Sequence, residues 1–280
     1  MKRTFLTLLA LLMVLVCAIS CSPNTDELKV KFDGYTPNSN VVAVLDNTVF
    51  YFADHTLNLR GLSEKEEPNG GYTFIDGKLY FSVSKQNAAK DFSFLVYTCD
   101  IYGNNKTLIF EKQGYKTKPW AVGKHNVFYL EHYTTHALDT SAHNIDSFNI
   151  LTGAYETVST AEDSTLADYK RGANGRYSCT LESDTITIVD SQKNMSYRVD
   201  NKTLQNSELG ETLADLDYFF CNYEVTNDGR MYLIYRIKSN GAPYPHFICE
   251  YIPDTDKVAF SLLFFTYDVE NIDVAFVDVQ

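Results

Sequence analysis

A short apolar stretch, a tight-turn pair and a second apolar stretch recur five times along this chain of 280 residues. The copies are VVAVL-DN-TVFYF (41–52), YTFI-DG-KLYFSV (72–83), AV-GKHN-VFYL (121–130), DYKRGA-NG-RYSC (168–179) and YEVT-ND-GRMYLIYRI (223–237). Asp-Gly and Asn-Gly between apolar runs are strong hairpin signals, because a type I′ turn needs positive φ at both central residues. A second hairpin follows four of the copies, at 95–110, 147–158, 185–199 and 247–260. Its turns are Asn104-Asn105, Thr152-Gly153, Gln192-Lys193 and Asp254-Thr255-Asp256. Each unit therefore reads as four antiparallel strands.

The first-hairpin turns lie near residues 47, 77, 125, 175 and 228. From the second on, the spacing is about 50 residues, the range of propeller blades. The first interval is only 30 residues, as if copy one lacks its outermost strand. The apolar run at 271–279 is placed to supply that strand and close the ring. The fold class is all-β: a β-propeller of about five four-stranded antiparallel blades. Six blades follow instead if residues 200–221 hide a degenerate one, and a β-sandwich with similar hairpins is the other alternative. Strand faces favour stacked blades. Met231, Leu233, Tyr235 and Ile237 form one face of their strand, and Tyr232, Ile234 and Arg236 the other. A sheet with one wet face alternates apolar and polar more cleanly.

The N-terminus has a different character. Lys2 and Arg3 precede a run, 5–19, that is apolar except for Thr7. It is shorter than the roughly 20 apolar residues of a membrane span and has the size of a signal-peptide core. It ends in Ala18-Ile19-Ser20-Cys21-Ser22, a segment that resembles the bacterial lipobox. The resemblance implies cleavage before Cys21 and diacylglycerol on its thiol. Residues 1–20 are then a signal peptide, 21–32 a lipidated tether and 33–280 a single propeller domain, held at the cell envelope on the extracytoplasmic side of a bacterial membrane. Residues 41–260 resemble the repeat of Tyr-rich, uncharacterised bacterial propeller-like lipoproteins, with Asp76-Gly77-Lys78-Leu79-Tyr80 and Asp228-Gly229-Arg230-Met231-Tyr232 the clearest copies of its motif. That motif implies fold and carries no chemistry.

The formal net charge is −12, and it becomes two units more negative once Lys2 and Arg3 are removed with the leader. Such a surface repels phosphate backbones, so nucleic acid is excluded as a partner. Cys99, Cys179, Cys221 and Cys249 sit in strand-like stretches without a CxxC pair, which leaves buried free thiols or disulfides open. His125, His132, His136 and His143 crowd one segment, but His132 and His136 would stand roughly 13 Å apart on an extended chain, so no metal site and no cofactor is expected. There is no G-x-S-x-G elbow and no phosphate loop. A glycosidase-type hydrolase would need paired carboxylates. Asp46, Asp76 and Asp228 sit at turns, where Asp is favoured for conformation alone, and no catalytic residue emerges. The preferred function is a membrane-anchored recognition or scaffold module for a protein, peptide or glycan of the envelope.

Loop lengths suggest where that ligand sits. The A–B and C–D turns are short. The B–C and D–A connections are long at 63–71, 84–91, 111–119, 132–146, 159–167, 201–216 and 238–245, and would form an uneven rim on one face. His132, Tyr133 and His136, Tyr244, and Tyr115 with the lone Trp120 are its expected ligand contacts, because amphipathic rings suit wet interfaces.

Overall fold

The computed structural model describes residues 41–52, 54–89, 91–133, 143–159, 166, 169, 177–182, 185–207, 210–213, 216–225, 231–238, 246–252, 257–264 and 272–276. Cys21 and its leader, His136, Tyr244, Asp228 and the 254–256 turn lie outside them.

Five small antiparallel sheets make five blades of a propeller. Blade one holds β1 (Val41–Leu45), β2 (Val49–Tyr51), β3 (Thr56–Asn58) and, from the far end of the chain, β19 (Ile272–Phe276). Blade two is β4 (Glu66–Ile75), β5 (Lys78–Ala88), β6 (Asp91–Asp100) and β7 (Thr107–Tyr115). Blade three is β8 (Trp120–Lys124), β9 (Val127–Tyr133), β10 (His143–Asn149) and β11 (Tyr155–Ser159). Blade four shows three described strands, β12 (Tyr177–Glu182), β13 (Thr185–Asp190) and β14 (Met195–Val199). Blade five is β15 (Tyr218–Val225), β16 (Met231–Ile237), β17 (His246–Ile252) and β18 (Lys257–Phe264). The six-blade and sandwich alternatives fall. Residues 201–205 and 210–213 form two short helices, α1 (Asn201–Gln205) and α2 (Gly210–Leu213), where a sixth blade would have lain. Asp200 caps α1 through the Thr203 N–H, and Leu204 and Leu213 seal into the core between blades four and five.

The turns behave as their residues require. Asp46 and Asn47 have φ of 47° and 58°, and Asp76 and Gly77 have 49° and 68°, the paired positive angles of a type I′ hairpin. The ring closes through the C-terminal strand, but on the inner side. β19 pairs with β1 in register Val41↔Phe276 to Leu45↔Ile272, and it packs beside the inner strands β4 and β15. Blade one therefore lacks its innermost strand, not its outermost, until β19 arrives. This explains the short first interval. Asp46-Asn47 joins the second and third strands of its blade, whereas Asp76-Gly77 joins the first and second. The two turns point to opposite ends of the ring.

Strands apolar on both faces pack between blades, as expected. Met231, Leu233, Tyr235 and Ile237 enter the core between blades four and five. Tyr232 and Ile234 enter the core between blades five and one with Val41, Ala43 and Leu45. Each such fully buried aliphatic side chain contributes roughly 1.5–3 kcal/mol. Further cores join blades one and two, and blades two and three. Between blades three and four, Tyr169 meets Tyr129 with ring centroids 4.7 Å apart.

Blade two departs from the loop reading. The stretch 63–71 holds Pro68-Asn69-Gly70-Gly71, a turn-like composition, yet from Glu66 on it is the first half of β4. A register shift between Pro68 and Tyr72 absorbs it as a bulge. Asn69 is buried there: its amide donates to Ser84 Oγ and to the Pro119 carbonyl, while Ser82 donates to its oxygen. The stretches 84–91 and 111–119 likewise belong mostly to β5, β6 and β7. The rim over blade two is thus built of strand ends, which hold side chains more rigidly than loops.

Candidate functional site

At one end of the ring, where the second-to-third-strand connections and the crossings between blades lie, β7 of blade two and the ends of β8, β9 and β10 of blade three come together. Asp146 on β10 is buried at 4 % exposure. His132 Nε2 stands 2.8 Å from its Oδ2, Tyr155 donates to the same oxygen at 2.5 Å, and Thr157 donates to Oδ1 at 2.7 Å. Facing a carboxylate, His132 Nε2 carries the hydrogen. Because the Tyr155 proton goes to Asp146, the hydrogen bond between the two tyrosine hydroxyls must be donated by Tyr115 to Tyr155. The Tyr115 ring also meets His132 edge-on at 4.7 Å. One carboxylate thereby ties the outer strand of blade two to three strands of blade three.

Electrostatics agree with that geometry. Burial would raise the Asp146 pKa, but the hydrogen bonds from His132, Tyr155 and Thr157 outweigh it and hold the carboxyl below its ordinary value. Burial, then the bond to Asp146, pushes the Tyr155 hydroxyl well up, and burial does the same to Tyr115. A depressed carboxylate stabilises the fold above its unfolded pKa near 3.9, and this stabilisation is lost as pH falls through the folded value. Asp146→Asn should therefore flatten the acid limb of the stability–pH curve below about pH 4. At neutral pH it should cost about 1–3 kcal/mol, since donors lose a charged acceptor. Chemical denaturation from pH 3 to 7 reads both, and an unchanged acid limb in the variant would assign it to other carboxylates.

The expected contacts thus divide. The structure brings Tyr115 and His132 together, turned towards one another, with Tyr115 buried. Trp120 and Tyr133 lie on the other face of blade three, aligned with Glu131 through the Trp120↔Glu131 register. Trp120 is 51 % exposed, and Lys118 Nζ lies 4.4 Å from its ring. Lys118 in turn pairs with Glu67 at 2.7 Å. The Tyr133 N–H donates to Thr117 Oγ1, which donates back to the Tyr133 carbonyl, and its ring faces His143 at 6.0 Å. Sequence reasoning does not single out Asp146, Tyr155, Lys118 or Glu67. The legible signal for Asp146 is an acid at a strand position flanked by Ile145 and Phe148 in an otherwise core-forming run.

The opposite end of the central channel is bridged. Lys124 on inner strand β8 meets Glu224 on inner strand β15 at 3.2 Å, with side chains 10 % and 8 % exposed. This pair spans from blade three to blade five. Asp46 and Asp76 lie at opposite ends of the ring and form no carboxylate pair. Among the described residues no group of three or more His, Cys, Asp or Glu is arranged to hold a metal ion, and no helix is long and apolar enough to cross a membrane. Cys99, Cys221 and Cys249 are free thiols. Burial pushes the Cys99 thiol up to about 11, which leaves it unreactive at neutral pH.

No protein-family model matches the sequence, and no curated protein matches it. Similar solved structures include a mutant of the Synechocystis apocarotenoid oxygenase, at 9% identity and TM-score 0.33, covering 81% of this chain and 60% of that one. A hypothetical protein from Leishmania major is similar at 9% identity and TM-score 0.30, over 72% and 69% of the two chains. The WD40 domain of SCAP from fission yeast is similar at 9% identity and TM-score 0.27, over 86% and 60%. The chain spans about 60% of the oxygenase. Likeness of this degree carries no activity across, and the five-bladed architecture rests on the strand order of this chain itself.

Proposed function

We propose that the protein is a recognition module of the bacterial cell envelope, tethered to a membrane by lipid on Cys21, that binds an envelope protein, peptide or glycan on the rim around Trp120 and Tyr133. The propeller is a rigid scaffold suited to binding, and the observation that carries the reading is Trp120 itself. A large aromatic ring stands half exposed at the end of an inner strand, with a cation on its face, and Tyr133, two residues on from its cross-strand partner Glu131, shares its face of the blade. Exposed rings anchored on a stiff frame are typical centres of binding energy. The Asp146 network beneath holds that frame, so His132 and Tyr115 act as positioning residues. His136 and Tyr244 remain proposed contacts of the same rim. The Lys124–Glu224 bridge favours approach from this end of the ring.

Trp120 is the sole tryptophan, so its emission reports occupancy of the rim directly. A ligand isolated by crosslinking in the envelope, or from a glycan array, should shift that emission on binding. The double substitution Trp120→Ala, Tyr133→Ala should weaken binding more than tenfold with melting unchanged. Full affinity in the double variant would sink the rim assignment. The tether is checked in the same strain: Cys21→Ala should abolish palmitate labelling, and persistent labelling would defeat the lipid anchor.

A further inference from the structure

A concavity lies away from that rim, on the outer flank between blades one and two. It is half open to solvent, offers about 250 Å³ and is lined by Leu57, Arg60, Phe81, Cys99, Tyr102 and Lys106 among others. None of its lining residues is acidic, although the chain carries 36 acids against 24 bases. Leu57, Phe81 and Cys99 form an apolar floor, each at most 5 % exposed. Two cationic residues, Arg60 and Lys106, line the cleft beside that floor. Lys106 Nζ donates to the carbonyls of Gly61 and Arg60 and lies 5.2 Å from the Tyr97 ring, which leaves one of its three N–H groups unspent. The Arg60 guanidinium makes no hydrogen bond or ion pair with the described residues. Asp100, next in sequence to the lining Cys99, is turned into its own loop, where it accepts from the N–H groups of Tyr102 and Asn104 and from the Asn105 amide.

One wall is a prepared aromatic surface. Tyr102 is 61 % exposed and packs on the His55 ring at 4.6 Å, and that ring stacks on Phe52 at 4.2 Å. His55 is fixed by Asp54 on one nitrogen and the Ile101 carbonyl on the other. The free face of Tyr102 is therefore held still. A planar guanidinium suits a carboxylate bidentately, with a lysine beside it as a point charge. The volume lies below the roughly 300–1,000 Å³ of drug-sized pockets, so the occupant is a single small ring.

We propose that this cleft binds a small carboxylate-bearing ring compound of the acidic-sugar class, its carboxylate on Arg60 and Lys106 and its ring against Tyr102. The site is separate from the Trp120 rim. Isothermal titration of the full-length protein with sodium glucuronate, glucose and inorganic phosphate tests it. Glucuronate should bind at least tenfold more tightly than either of the others. Arg60→Gln and Lys106→Gln, both at exposed positions, should each weaken it at least tenfold, and Tyr102→Ala about fivefold, with melting unchanged. Trp120 emission should stay constant throughout. Equal binding of glucuronate and glucose, phosphate binding as tight as glucuronate, affinity untouched by Arg60→Gln, or no measurable binding would each overturn the proposal. A shift in Trp120 emission would move the ligand to the rim and overturn it too, whereas failure of the rim reading leaves this titration unaffected.

Discussion

A chain ending at Glu270 should lose its cooperative melt or melt at least about 10 °C lower. β19 is then gone, and β1 loses its neighbour along the whole register Val41↔Phe276 to Leu45↔Ile272. β1 has no tolerance for that. Val41, Val42 and Ala43 are fully buried, and Val44 and Leu45 are 1 % and 3 % exposed. Backbone groups that paired with β19 would be left bare on an apolar edge, which invites pairing with another chain. Two interblade cores draw on β1: Val42 and Val44 face blade two, and Val41, Ala43 and Leu45 face blade five. Losing several kcal/mol from both at about 2–4 °C per kcal/mol accounts for the shift in a protein of this size. Adding a synthetic peptide of residues 271–280 in trans should restore part of the transition. A truncated chain that melts like the intact one would show that the ring does not depend on its C-terminal closure.

Gly123→Ala is the second change expected to have a large effect. Gly123 sits on inner strand β8, pressed against inner strand β4 of the neighbouring blade. A Cβ there would fall 2.6 Å from the Tyr72 carbonyl carbon, nearer still to its oxygen, and 3.0 Å from its nitrogen. All three atoms are backbone, so no side chain can swing aside. One inner strand must move, and β4 is pinned on its other side by its ladder to β5 and by the buried Asn69 cluster. Overpacking of this kind costs about 1–3 kcal/mol where side chains yield, so about 3 kcal/mol or more is expected here. Gly77→Ala provides the contrast. Gly77 has positive φ, but a methyl group added to its Cα would meet nothing within 4 Å, so it should lose only about 1–2 kcal/mol of conformational energy. Urea melts of the two variants separate close approach from backbone preference. Equal losses would mean that β4 and β8 are less tightly apposed than their geometry indicates.

Much of the architecture is legible from neighbouring residues. A type I′ turn is a demand on two adjacent φ angles, and Asp46-Asn47 and Asp76-Gly77 meet it with their own side chains. Strand faces follow from a period of two, so Met231 to Ile237 declares burial on both sides without reference to any other segment. The number of blades then follows by counting. Composition misleads where a distant partner rescues it. Pro68-Asn69-Gly70-Gly71 looks like a loop, and it becomes strand because Ser82, Ser84 and the Pro119 carbonyl satisfy Asn69.

The candidate sites depend far more on the assembled ring. His132 and Trp120 both stand near strand ends of blade three, yet register places His132 with Asp146 and Tyr155 towards blade two, and Trp120 with Glu131 on the other face. A shift of one residue would exchange those roles. The Lys124–Glu224 bridge joins residues one hundred positions apart, and the Arg60–Lys106 cleft joins two blades, so neither pairing leaves a mark in local sequence. The inner placement of β19 is of the same kind. Residues 271–279 announce a strand by their own alternation, but which edge of blade one they complete is decided where β1, β4 and β15 leave room only at the centre of the ring. Turns and faces are properties of a few consecutive residues, whereas closure, charge pairing and the direction of a rim side chain are set by which distant backbone happens to lie alongside.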